Sequence, residues 1–177
     1  KDGSIEDPVK EDLYQIGTVA QVLKVLEMPD GTTSVIIQGK KRFEVIDYTQ
    51  DFPYFKAQVQ PLEDIKPQDD SVEFSAIVGS LKDLSIKIAQ YSMHLSPEAS
   101  FAVKNIENST FLINFVCSNT DLKVEEKQEL LGIGDVKERG VQAISYLVRE
   151  VQMAELKKDI QSKVKAELDQ QQREYLL

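Results

Sequence analysis

The sequence predicts an α+β fold: a small antiparallel β-barrel-like subdomain over residues 1–66, an α-helical bundle over 67–134, and a long C-terminal helix over 135–177. Three observations predict it. The apolar pattern alternates up to Pro61 and becomes helical after Pro67. Turn chemistry is concentrated early, at Met28-Pro29-Asp30-Gly31-Thr32. The stretch from Asp135 to Leu177 lacks proline, so it can run as one helix of about 40 residues, on the order of 60 Å. With 177 residues and 41% apolar content, the chain can bury a real core.

The segment before Asp12 is acidic and reads as loop. Ile16 to Leu26 is rich in β-branched and apolar residues, and Pro29 and Gly31 supply the fixed and positive φ of a tight turn before Val35-Ile36-Ile37 returns as partner strand. Gly39-Lys40-Lys41-Arg42 is expected to break that strand. Phe43 and Val45 then alternate with Arg42 and Glu44, and Phe55, Ala57 and Val59 repeat the pattern over Tyr54 to Pro61. Four strands in a meander or small barrel are expected.

From Asp70 the residues Phe74, Ile77, Leu81, Leu84, Ile88 and Tyr91 fall on one helical stripe. Ser96-Pro97-Glu98 opens a second helix with Phe101, Ala102 and Ile106. A third begins near Ser109 and is apolar nearly all round, with Phe111, Leu112, Ile113, Phe115 and Val116, as a buried helix should be. Asp121 is expected to cap a fourth, with Leu122, Val124, Leu130 and Leu131 inward and Gly132-Ile133-Gly134 as its stop. In the last helix Val141, Ile144, Val148 and Val151 form the expected inner stripe. Beyond Leu156 the seam thins to Ile160, Val164, Leu168 and Tyr175, so that half should project and seek a partner.

A formal charge of −9 argues against a basic surface for phosphates, and the Lys40-Lys41-Arg42 run reads as a solvated turn, so nucleic acid is not expected as a main partner. No run approaches the roughly 18 apolar residues of a membrane span, and the opening residues lack a signal-peptide core, so no membrane role is expected. One cysteine fits a reducing compartment, and one histidine with one cysteine makes a metal site improbable. No Walker A loop exists, because Gly39-Lys40 lacks both its upstream glycine and its Ser or Thr. His94 reads as a surface or capping residue, Cys117 as a buried inert thiol, and the pairs Glu125-Glu126 and Asp69-Asp70 as solvated surface. No catalytic or cofactor-binding residue emerges. The binding candidates are apolar or aromatic: Phe52, Tyr54, Tyr91 and Met93, with core packing as the plainer reading of each, and the Leu156, Ile160, Val164, Leu168 stripe as an association helix.

Several segments together carry a resemblance. They are Asp12-Leu13-Tyr14-Gln15-Ile16-Gly17-Thr18-Val19-Ala20, Met28-Pro29-Asp30-Gly31-Thr32, Val35-Ile36-Ile37-Gln38-Gly39 with Arg42 three residues on, Lys127-Gln128-Glu129-Leu130-Leu131, Asp135-Val136-Lys137-Glu138-Arg139 and Gln172-Arg173-Glu174-Tyr175-Leu176. In this order they resemble the amino-terminal region of Lon, the ATP-dependent protease of bacteria and organelles. The resemblance covers nearly the whole chain. It implies a PUA-like β part with further strands ahead of it, Arg42 holding a strand junction through a carboxylate, and a softened start of the long helix at Gly140. It also implies no catalysis here: the AAA+ module with its ATP and Mg, and the Ser-Lys protease domain, would lie elsewhere in the parent serine endopeptidase. The partners implied are unfolded or damaged protein substrates and other subunits of a cytoplasmic bacterial hexamer. A purely architectural spacer or a stand-alone adaptor are the rival readings.

Overall fold

The structure, a computed structural model, describes residues 1–68, 71–91 and 97–175, with side chains described for all of these but 97–100. The chain forms two compact units, one of residues 1–65 with 123–134 and the other of residues 66–122 with 135–177. The α+β class expected from the sequence is the class observed.

The first unit is built on strands β1 (Ile16–Glu27), β2 (Thr33–Gln50) and β3 (Lys56–Leu62). Among the described residues they form an open antiparallel sheet in the order β1-β2-β3, rather than four strands or a closed barrel. The expected break at Gly39-Lys40-Lys41-Arg42 does not occur. Val19 pairs with Lys41 and Ala20 with Gly39, so Lys40 is an extra residue that the ladder absorbs as a bulge while the strand continues.

The β1–β2 turn follows from its residues. Gly31 takes φ 84°, its N–H donates to the Met28 carbonyl at 3.0 Å, and the Met28 N–H donates to the Thr32 carbonyl at 2.8 Å. The Asp30 carboxylate accepts from the Thr32 hydroxyl at 2.6 Å and its N–H at 2.9 Å, which holds its carboxyl below the usual carboxylate range, the hydroxyl contributing most. Between Lys10 and Asp12 the leading segment makes a single 3-10 turn.

Helix α4 (Val124–Gly132), assigned to the bundle by its sequence, sits in this first unit. Its cap position is Lys123, not Asp121: the Lys123 N–H donates to the Glu126 carboxylate at 3.1 Å. Leu130 is buried as expected and Leu131 half-buried, but Val124 is exposed, since it occupies the first turn on the outer side.

The second unit holds α1 (Val72–Tyr91), α2 (Pro97–Lys104), α3 (Ser109–Asn119) and α5 (Val136–Tyr175). Phe74, Ile77 and Leu81 of α1 are buried against α5, as their spacing requires. Asn108 caps α3, its side chain accepting the Phe111 N–H at 2.8 Å. Leu112, Ile113, Val116 and Cys117 point into the core, but Phe111 is exposed, so α3 has an outer face after all. Burial pushes the Cys117 thiol up to about 11.

The inner face of α5 is not the expected one. Of the expected stripe Val151 is buried and Ile144 half-buried, but Val141 and Val148 are exposed, and the face centred on Val136, Arg139, Gly140, Ala143 and Leu147 is rotated by roughly a quarter turn. Small residues decide this. A Cβ on Gly140 would stand 2.8 Å from Ile77 Cγ2 and 3.4 Å from Ile113 Cδ1, so the helices meet where this side chain is missing. Gly140 is therefore a contact point of the core rather than a soft start to the helix. Among the described residues, no helix is long and apolar enough to cross a membrane.

Candidate functional site

In the first unit, Leu130 is the one described residue that is fully buried, so most of the sheet's apolar side chains are half-buried or exposed. A groove of about 490 Å³ opens on this unit, and its lining comes from four segments distant in sequence. Leu13, Tyr14, Ile16 and Gly17 come from the entry to β1; Phe43, Val45 and Tyr48 from β2; Ala57 and Val59 from β3; Gln128 and Leu131 from α4.

Local chemistry holds these residues in place. Gly17 faces Phe43 across the β1–β2 ladder, and a Cβ there would lie 2.7 Å from Phe43 Cζ, so the ring rests directly on glycine backbone. Tyr48 meets Phe55 edge to face with ring centroids 5.7 Å apart. Gln128 Nε2 donates to the Ile16 carbonyl at 2.8 Å, so the polar lining residue ties α4 to β1. The Val45 N–H donates to the Gln15 carbonyl at 2.8 Å, extending the pairing to the rim.

Arg42 supplies the frame. Its Nη2 and Nε donate to Asp64 Oδ1 at 2.7 and 3.0 Å, Nη1 to the Leu131 carbonyl at 2.9 Å, and Nη2 to the Glu63 carbonyl at 3.3 Å. The side chain is 10% exposed, and its fork joins β2, the residues after β3, and the end of α4. The Ile65 N–H donates to the Gly134 carbonyl at 3.0 Å in the same junction. Pro29, Asp30 and Gly31 form the β1–β2 turn, and Gly39 lies beside Thr18, whose Cγ2 would be 3.2 Å from an added Cβ.

The aromatic candidates separate. Phe52 and Tyr54 share the turn between β2 and β3 and are 84% and 59% exposed, so core packing accounts for neither. Lys56 Nζ stands 5.4 Å from the Tyr54 ring centre. Tyr91 belongs to the second unit, half-buried, with its hydroxyl donating to Glu155 Oε1 at 3.1 Å. Burial, and then that bond, raise its pKa, while Lys87 and then Tyr91 hold the Glu155 carboxyl low through hydrogen bonds. Tyr91 is thus a contact between α1 and α5. Met93 and His94 lie outside the described residues, as do Ser96 and the Asp69-Asp70 pair. Leu156, Ile160, Val164 and Leu168 are all about half exposed on α5.

The residues that sequence reasoning missed are Tyr14, Phe43 and Tyr48. The alternation of Phe43 and Val45 marked a half-buried face, but nothing in the sequence showed that four segments would converge on it. An open, apolar, aromatic-lined groove can hold an apolar side chain of an extended polypeptide; among the described residues no cluster of three or more His, Cys, Asp or Glu could hold a metal.

Comparison with known proteins places this arrangement. The model of the ATP-dependent protease La (LON) substrate-binding domain matches residues 1–149. A Lon protease of Flavobacterium johnsoniae is 51% identical over 172 residues, 97% of this chain and 21% of that protein. One of Parabacteroides distasonis is 45% identical over the whole chain and 22% of its own length. The chain thus spans about a fifth of the relatives it matches. The N-terminal domain of a Mycobacterium avium complex Lon protease shares the fold, with a TM-score of 0.63 at 19% identity, covering 82% of this chain and 74% of that one.

Proposed function

The chain belongs to the Lon substrate-binding domain family, a non-catalytic part of peptidases, and on that premise we propose that its first unit captures unfolded or damaged polypeptide through the groove beside Phe43. The observation that carries the reading is the lining itself. Apolar and aromatic side chains from β1, β2, β3 and α4 stay open to solvent, and the polar lining residue, Gln128, spends its amide on the Ile16 carbonyl. Folded proteins hide the segments that fit such a surface and unfolded ones expose them. Phe52 and Tyr54, exposed on the neighbouring turn of the same unit, extend the apolar surface available to an extended chain.

Single-site affinity should be weak, because one small open groove contacts few ligand side chains, no ion pair anchors the ligand, and an extended chain loses conformational freedom on binding. In the hexameric parent, repetition of the site would convert weak contacts into capture by avidity. ATP and Mg would act in the parent's AAA+ module, cleavage in its Ser-Lys domain, and the setting would be the cytoplasm of a bacterium. The test is binding of a fluorescently labelled, reduced and carboxymethylated α-lactalbumin, with the native protein as control. Val59→Asp places a charge on the groove wall at an exposed position and should abolish binding without lowering stability. Equal binding by Val59→Asp and the parent chain would overturn the assignment of the groove.

A further inference from the structure

Two tyrosines of the groove lining carry polar atoms that the fold itself does not use. Tyr14, at the entry to β1, and Tyr48, on β2, are both half-buried, and neither hydroxyl hydrogen-bonds to another described residue. Among the described residues no buried side-chain oxygen or nitrogen lacks a partner, so both hydroxyls reach solvent. Tyr91, also half-buried, differs: its hydroxyl donates to Glu155 Oε1 at 3.1 Å.

The two rings are held while their hydroxyls stay open. Lys1 Nζ stands 5.9 Å from the Tyr14 ring centre, and Phe55 meets the Tyr48 ring edge to face at 5.7 Å. Tyr48 reaches the groove through a bulge. Side chains of a strand alternate between faces, so with Phe43 and Val45 on the groove face an unbroken β2 would send residue 48 to the other side. Val45 pairs with Val59 but Asp47 with Gln58, so Ile46 is an extra residue, exposed, and the alternation shifts by one. Tyr48 then pairs with Ala57 and joins the same lining. A phenylalanine there would fill the same space; the phenol adds an atom that both donates and accepts a hydrogen bond.

The rest of the lining limits what these atoms can meet. No lining residue carries a charge, so an ionised side chain entering the groove would lose water without gaining a counter-charge. An apolar side chain of an extended segment brings with it the peptide groups on either side, unpaired because no helix or sheet satisfies them. Those groups need partners as the segment leaves water, and a phenol can donate to a carbonyl or accept from an N–H. An amphipathic helix offers the same apolar side chain with its peptide groups already satisfied within the helix.

We propose that Tyr14 and Tyr48 are specificity-determining residues that hydrogen-bond the main chain of the captured segment, beside the apolar side chain held in the groove. The inference rests on the reading of the groove as a polypeptide site, and it narrows the ligand to uncharged segments in an extended conformation with unpaired peptide groups.

The test is an amide-resolved NMR titration with an unstructured, uncharged peptide built around one leucine, and with a copy in which esters replace the two amides flanking that leucine. The esters remove the N–H donors and weaken the carbonyls as acceptors. Tyr14→Phe and Tyr48→Phe keep the rings, so each should leave the melting midpoint unchanged and weaken binding of the peptide about fivefold, as loss of one neutral hydrogen bond does. The ester copy should bind the parent chain about tenfold more weakly than the peptide does, whereas the double variant should bind the two ligands equally. An equal loss on ester substitution in the parent chain and the double variant would overturn the proposal, as would full affinity for the peptide in both single variants. Either failure leaves the groove itself standing if Val59→Asp still abolishes binding. Binding that survives Val59→Asp removes the groove, and this proposal with it.

Discussion

Alanine at Gly140 and at Gly79 should have opposite effects, and the contrast tests the packing of the second unit. Both glycines lie in helix interiors, where Gly→Ala contributes about 1 kcal/mol of intrinsic helix stability. Around Gly79 nothing lies within 4 Å of an added Cβ, so the gain should appear in full. At Gly140 the methyl would meet Ile77 Cγ2 at 2.8 Å, Ile113 Cδ1 at 3.4 Å and Leu81 Cδ1 at 3.8 Å. Ile77 is β-branched and keeps one strongly preferred χ1 rotamer in a helix, so Cγ2 gives way little unless α1 moves, and the clash is relieved mainly by separating helices. Overpacking of this kind costs about 1–3 kcal/mol. The net expectation is destabilisation by about 1 kcal/mol for Gly140→Ala and stabilisation by about 1 kcal/mol for Gly79→Ala. At a urea slope near 2 kcal/mol per molar, this separates the two midpoints by about 1 M. Circular dichroism at 222 nm reports it, because most of the helix belongs to the second unit. If Gly140→Ala stabilises as much as Gly79→Ala, the close approach of α1, α3 and α5 is wrong.

Other substitutions read the remaining parts. Arg42→Lys should destabilise the first unit by about 2–4 kcal/mol, nearly as much as Arg42→Ala, because one ammonium cannot reach Asp64 and the Leu131 and Glu63 carbonyls together; hydrogen exchange of the β2 and β3 amides would show it, and protection unchanged in Arg42→Lys would refute the fork. Cys117 should resist a disulfide-exchange reagent at pH 8 in the folded chain and react at once in denaturant, since burial holds the thiol up to about 11; fast reaction in the native state would contradict that burial. Glu155 titrates low in the folded chain, so its contribution is present above the ordinary glutamate value and fades as pH falls through the depressed one. The Tyr91 ring resonances should therefore shift on acidification with an inflection below the usual Glu range, and an inflection at the usual value would mean that Lys87 and Tyr91 do not hold the carboxylate.

How far the sequence could be read depended on how local each determinant was. Phe74, Ile77 and Leu81 declare the buried face of α1 through spacing alone, and the Pro29-Asp30-Gly31 turn is written in three consecutive residues. The inner face of α5 was hidden because Gly140 and Ala143 do their work by being small, which a search for apolar side chains discounts. Strand β2 looked broken at Gly39-Lys40-Lys41, since a bulge that absorbs one residue leaves no local mark. The attachment of α4 to the sheet rests on Arg42 reaching Leu131 and Gln128 reaching Ile16, pairings across about a hundred residues that no window contains. The groove suffered likewise. Phe52 and Tyr54 stood out as aromatics without a core role, whereas Tyr14, Phe43 and Tyr48 acquire theirs only when four segments meet.

The most direct test of the central claim is an amide-resolved NMR titration of the chain with reduced, carboxymethylated α-lactalbumin, the native form serving as control. Capture by the groove predicts shifts confined to residues around Tyr14, Gly17, Phe43, Val45, Val59 and Leu131, seen with the unfolded ligand alone and lost in Val59→Asp. A silent titration up to millimolar ligand, or shifts centred on the distal half of α5, would contradict it.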